Sequence, residues 1–246
     1  MTGSEMKLVS FMQGSNKRFV IPVYQRNYDW KTENCKQLYD DLIKVVRNER
    51  KNHFFGSIVS VYNPVGANDE FLVIDGQQRL TTVSLLMLAM YNAMEQKIVD
   101  PKRASLSEQI FAEYLVDKYQ DEDTRIKLKP VKNDREAFGK LFNDSTEYIK
   151  DSNLTVNYYY FYERIQKQEI TVDELFEAIC RLEIINIKLN QDDNPQLIFE
   201  SLNSTGVALA RAIKSVILSL WGFLLISRIS IMKIIGIKSK SAQIMK

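Results

Sequence analysis

The sequence predicts an α+β fold: a small mixed sheet with helices, followed by a helical region. Three observations predict it. Short runs rich in β-branched and aromatic residues stand at RFVIPV, HFFGSIVSVY, EFLVI and LEIINIKL. Longer stretches between them carry apolar residues at helical spacing. Turn-forming residues such as NPVGAND and DG sit at the junctions.

In chain order, residues 18–23 predict a short strand running into a loop, where Pro22 and the neighbouring aromatics favour an edge position. Thr32 is a natural cap for a helix that puts Cys35, Leu38, Tyr39, Leu42, Val45 and Val46 on one face. HFFGSIVSVYN reads as a strand and NPVGAND as a turn. Residues 70–74 form a second strand that feeds the DGQQR loop, and a long apolar helix follows from about Leu80. Residues 100–180 alternate helical patterns with polar loops. Within them NYYYFYERI predicts a helix face packed on the core, with an aromatic box for a base as the sharper reading. LEIINIKL alternates as a strand, and NPQLIFESLNSTG predicts a helix ending near Gly206. The organisation expected is a core over residues 1–100, a helical region over 101–210 that returns a strand to it, and a tail over 211–246.

The chain has 246 residues, room for one substantial core or one core with a helical annex. Hydrophobic residues at 45% and charged residues at 26% fit a globular protein. No charged start followed by an apolar run and cleavage site opens the chain, so a cytoplasmic protein is expected. Cys35 and Cys180 lack CxxC spacing, which argues against a disulfide framework or zinc site. His53 is the one histidine, and it reads as a strand-start residue. HExxH metal chemistry and histidine-pair nuclease centres need more imidazoles than this.

The DGQQR segment carries the chemistry. A buried-type strand ends at Asp75-Gly76, where glycine tolerates angles other residues avoid. Gln77, Gln78 and Arg79 then open a helix whose free N–H groups and dipole favour an anion. Arg79 adds a planar, permanently charged fork suited to phosphate oxygens. Thr81 and Thr82 bring hydroxyls for a phosphate or a metal-bound water, and Asp75 is the acid placed to approach phosphate-bound Mg²⁺. A plain strand-to-helix turn, with Asp75 as cap and Arg79 in a surface ion pair, explains the same spacing. There is no GxxxxGK[ST] loop.

Three other segments bear on the site. Gln25, Arg26 and Asn27 stand among Tyr24, Tyr28 and Trp30, a polar-basic loop flanked by aromatics and suited to phosphate, base or DNA contacts. Gly56 in FFGSIV allows a backbone to approach a ligand. Asn203, Ser204 and Thr205 precede Gly206 in a tight polar turn.

IPVYQRNYDW, FFGSIV, FLVIDGQQRLTT and IFESLNSTGVAL, in that order, resemble the N-terminal domain of GmrSD-type restriction endonucleases over about residues 5–210. The resemblance implies a core similar to ParB and sulfiredoxin proteins. It also implies a nucleoside triphosphate with Mg²⁺ as cofactor, and a role in NTP-dependent, modification-sensing anti-phage restriction. On that basis Asp75, Gln77, Gln78 and Arg79 are the expected catalytic residues. Gly76, Arg79, Thr81, Thr82, Gln25, Arg26 and Asn203 are expected to bind the nucleotide. Tyr24, Arg26, Tyr28 and Trp30 are expected to face DNA, including modified DNA. DNA cutting in full-length relatives resembles HNH chemistry in a separate C-terminal domain, which this chain would need in cis or in trans. The alternatives are a non-catalytic DNA-binding module and a non-functional truncated remnant.

Charge breaks sharply near the end. The first 210 residues carry 26 basic and 31 acidic side chains, and residues 211–246 carry seven basic and no acidic ones. A net −5 over the body argues against a broadly basic DNA face. Codons for the tail, read one nucleotide earlier, can yield a charged helix similar to the family's continuation. The expectation is therefore a frameshifted, poorly specified tail from about Arg211. Its SVILSLWGFLLI run has 12 residues, short of the ~20 that span a bilayer, so no firm membrane association is expected.

Overall fold

The computed structural model describes residues 2–66, 68–121 and 124–189. The FESLNSTG helix, Asn203 and the tail from Arg211 lie outside the described residues.

The strands are β1 (Thr2–Lys7), β2 (Lys17–Val20), β3 (His53–Val65), β4 (Asn68–Asp75), β5 (Leu128–Lys129) and β6 (Leu182–Leu189). They form one mixed sheet in the order β1-β6-β3-β4-β2-β5. The helices are α1 (Leu8–Met12), α2 (Thr32–Arg47), α3 (Gln77–Glu95), α4 (Leu106–Ile110), α5 (Lys132–Lys140), α6 (Asn153–Gln166) and α7 (Val172–Cys180). The architecture is α+β, as the sequence predicts.

Topology sets where a site can form. β4, β2 and β5 run parallel, so their carboxyl ends share one edge of the sheet. β3 runs antiparallel to β4, with Val59 opposite Asp75, so residues 53–57 extend past the end of β4 on that same edge. Ligands of open α/β sheets bind outside strand carboxyl ends, where following helices begin. Here α3 begins directly after β4, and α5 shortly after β5.

The helices cover the sheet for reasons legible in their sequences. α2 buries Cys35, Leu38, Tyr39, Leu42 and Val45 and leaves its charged face outside. α3 is apolar nearly all round, and such a helix must lie inside the protein; Leu80, Val83 and every residue from Leu85 to Met90 are buried. α6 packs on it, and the Asn92 side-chain amide donates to the Tyr158 hydroxyl at 2.8 Å. The tyrosine-rich run therefore faces the core, with Tyr158 and Phe161 buried, and forms no open aromatic box. Phe11, Phe19 and Phe71 meet ring to ring at 5.0–5.7 Å beneath β2 and β4.

Several boundaries differ from the sequence expectation. β1, the polar TGSEMK, has no apolar alternation to announce it and is held by antiparallel pairing to β6. Thr32 is the first helical residue of α2 and not its cap; Asn34 Oδ1 instead accepts the Lys31 amide at 3.0 Å. β3 continues through Pro64, opposite Asp69, and the turn lies beyond Val65. β2 is not an edge strand, although only the two residues of β5 flank it. His53 begins β3, as expected.

Candidate functional site

Gly76 is the hinge on which the DGQQR segment turns. Its φ of +92° lies in the left-handed region, and a Cβ there would sit 2.9 Å from the Ser57 carbonyl oxygen. Only glycine lets β4 end against β3 and α3 start at once. Leu80 N–H bonds the Gly76 carbonyl at 3.0 Å, closing the first turn of α3. The amides of Gln77, Gln78 and Arg79 find no acceptor among the described residues. Asp75 makes no side-chain cap bond, so the plain capped turn is not what forms.

The motif then splits into two sides. On the first, Arg79 leans over β3. Its Nη1 donates to the Ser57 carbonyl at 2.8 Å, and Asp75 Oδ2 lies 4.0 Å away, at the outer limit of an ion pair. The side chain runs across Gly56, where a Cβ would fall 2.7 Å from Arg79 Nε. Gly56 has φ +123° and marks a register shift between β3 and β6. The group that approaches Gly56 is therefore Arg79 itself, where the sequence suggested a ligand. Arg79 and Asp75 side chains remain 31% and 42% exposed. A guanidinium anchored by one N–H and open at its other donors can still take an anion.

On the second side, the polar residues are spent on the YQRNYDW loop. Gln78 Oε1 accepts the Asp29 and Trp30 amides at 3.1 and 3.3 Å, and its Nε2 donates to the Asn27 carbonyl at 3.0 Å. Gln25 Nε2 donates to the Ile74 carbonyl at 2.7 Å. Thr82 is fully buried; its hydroxyl donates to the Gln78 carbonyl and meets the Tyr28 hydroxyl, each at 2.8 Å. Tyr28 is 6% exposed. Its hydroxyl also accepts from Asn157 Nδ2 at 3.0 Å, and its amide donates to Asp134 at 2.6 Å. Burial pushes the Tyr28 hydroxyl far above its usual range, so it stays protonated. Burial likewise raises Asp134.

These contacts correct several expected roles. Gln78 and Gln25 hold backbone and are not free to orient water or meet phosphate. Thr82 cannot reach a ligand. Tyr28 cannot present its ring to DNA. Trp30 is half-buried, while Tyr24 and Arg26 are exposed; Arg26 pairs with Asp29 at 2.9 Å. Gln77 and Thr81, both buried, line a crevice with Arg26 and Asp134 that is too narrow to hold a water molecule. The structure thus brings Asp75, Gly76 and Arg79 together and places Arg26 on the crevice side. Asp134, Asn153 and Asn157 were missed from sequence, because each meets the loop from more than a hundred residues away and no local spacing announces it.

Residues 8–212 match the family described as GmrSD restriction endonuclease, N-terminal domain. The chain belongs to that family. No curated protein matches it closely enough to count as a relative. As a GmrSD N-terminal domain it is a restriction-system component, and the family's business with endonucleases makes DNA the implied partner class. Among the described residues of this GmrSD domain, no helix is long and apolar enough to cross a membrane. Nor do three His, Cys, Asp or Glu residues gather there to hold a metal ion. Mg²⁺ carried in with phosphates needs one or two protein carboxylates and keeps several of its waters. Asp75, singly placed and partly exposed, fits such a requirement.

Proposed function

We propose that the start of α3 binds the phosphates of a nucleoside triphosphate, and that the domain hydrolyses it as the sensor part of a modification-dependent DNA restriction system. The observation that carries the reading is the pairing of uncommitted α3 amides with a guanidinium pre-set beside them. A helix N-terminus and an arginine are each ordinary; together, at the carboxyl edge of parallel strands, they suit a polyanion. Arg79 clamps phosphate oxygens through the donors Ser57 leaves open, and Gly76, packed against Ser57 and Ile58, makes the turn that starts α3 beside it. Asp75 is the carboxylate that would hold phosphate-bound Mg²⁺, which supplies charge neutralisation at the transferring phosphoryl group. Of the two glutamines, Gln77 alone keeps its side-chain amide uncommitted among the described residues, and it is buried on the crevice side, where it can meet a ligand only from the crevice. Phosphoryl transfer needs mainly positioning and charge stabilisation, and these groups provide both. Cleavage of DNA falls to an HNH nuclease domain, in cis or in trans.

The test is calorimetric binding of Mg²⁺-nucleoside triphosphate to the chain and to Arg79→Ala. A clamp of this kind predicts at least a tenfold loss of affinity, since charge-assisted bonds contribute roughly 1.5–3 kcal/mol. Equal affinities would end the assignment.

A further inference from the structure

Beside the Arg79 site lies a second cavity, of about 350 Å³, that the phosphate reading does not use. Its aromatic walls are Trp30, Phe54 and Phe55. Across from them α2 presents Asn34, Gln37 and Asp41, at i, i+3 and i+7, with buried Leu38 between them. The walls are tied to the start of α3 from both directions. Phe55 precedes Gly56, over which Arg79 lies, and Trp30 is held by Gln78 through its amide.

We propose that this cavity takes the nucleobase of the nucleotide whose phosphates Arg79 clamps; the inference rests on that phosphate reading. The size falls within the range of small-molecule pockets. A planar heterocycle needs faces to stack on and partners for its edge, and both are here. Phe54 is 58% exposed although it is a large aromatic on a strand, which leaves its face available for stacking. Asn34 Oδ1 is spent on the Lys31 amide, so its Nδ2 is the donor it can offer. Gln37 is exposed and offers a donor and an acceptor together. Asp41 Oδ1 holds Lys44 at 2.9 Å, and its other oxygen can accept a ring or exocyclic N–H. Every common nucleobase carries an N–H on its pairing edge, so this arrangement selects a base over no base without choosing among them.

Trp30 reports on the cavity. The chain has two tryptophans, and Trp221→Phe leaves Trp30 as the sole tryptophan, read by excitation that spares the tyrosines. In that background three ligands are titrated in Mg²⁺: a nucleoside triphosphate, inorganic tripolyphosphate and the unphosphorylated nucleoside. The expected result is Trp30 quenching by nucleotide and nucleoside. The nucleotide should also bind roughly tenfold tighter than tripolyphosphate, as stacking on aromatics implies. Phe54→Ala should bring that affinity ratio to about one. Nucleotide and tripolyphosphate binding alike, with no quenching, overturns the base pocket and leaves the phosphate site standing. Quenching by nucleoside with no tripolyphosphate binding keeps the pocket and removes the phosphate site. Absence of binding by all three overturns both.

Discussion

The two sides of the α3 start use the same polar vocabulary for opposite ends. Toward the YQRNYDW loop, Gln78, Thr82 and Tyr28 are buried and every polar contact found there is internal. Toward β3, Asp75 and Arg79 remain partly in water, and their one close contact with the body is a single carbonyl. Buried polar groups without partners are costly, so the first side must be fully satisfied to exist. The second need not be, because solvent covers its open donors until a ligand does. A five-residue motif can therefore look uniformly catalytic in sequence and yet divide into scaffold and site.

The sharpest way to break this division is at its hinge. Gly76→Ala forces an L-residue into a φ of +92° and drives a methyl to 2.9 Å from the Ser57 oxygen. We expect a loss of roughly 3–4 kcal/mol in chemical denaturation. A loss under about 1 kcal/mol would mean that β3 and α3 are not locked as described.

Gln78→Ala attacks the scaffold side alone. It strands the Asp29 and Trp30 amides and the Asn27 carbonyl, and should cost roughly 2–3 kcal/mol. Protease cleavage within residues 24–30 should rise with it. An unchanged melt would return Gln78 to the list of free catalytic groups.

A smaller effect marks a region remote from the site. Lys127 is buried, donating to the Gly14 and Glu113 carbonyls at 2.7 and 2.6 Å. Burial brings its pKa down to about 8. Because the folded value lies below the unfolded one, the unfolded chain binds more protons between about pH 8 and 10. Lys127 should therefore add stability as pH rises across that window, against buried Cys35 and half-buried Cys180, whose raised thiols pull the other way there. Above it the sign reverses: buried Tyr28, Tyr39 and Tyr158 are all raised, so the unfolded tyrosines ionise first. Lys127→Met should lose that contribution, so its stability falls relative to wild type between pH 8 and 10, while both fall above 10. Wild-type and Lys127→Met melts that run parallel across pH 8–10 would contradict the Lys127 account.

The comparison also explains what the sequence could reveal. Strong periodicity made β3, β4, β6 and the faces of α2 and α3 legible, because burial of an apolar stripe is a local pattern. β1 escaped, since its polar residues belong to the sheet only through β6, which arrives about 180 residues later. The site's position was legible from Asp75 to Arg79, where strand, glycine and helix start are contiguous. Its division was not. Whether Gln77 or Gln78 is free depends on where Asn27, Asp29 and Trp30 are carried, and only the fold decides that.

The most direct test pairs the two sides in one measurement: the melting temperature of the chain, Arg79→Ala and Gln78→Ala, each with and without saturating Mg²⁺-nucleoside triphosphate. Ligand that binds only the folded state must raise the melt. The account predicts that Arg79→Ala melts like the parent chain but loses the nucleotide-dependent rise, whereas Gln78→Ala melts lower and keeps it. The reverse pattern, a nucleotide response that survives loss of Arg79 and vanishes with Gln78, would contradict it.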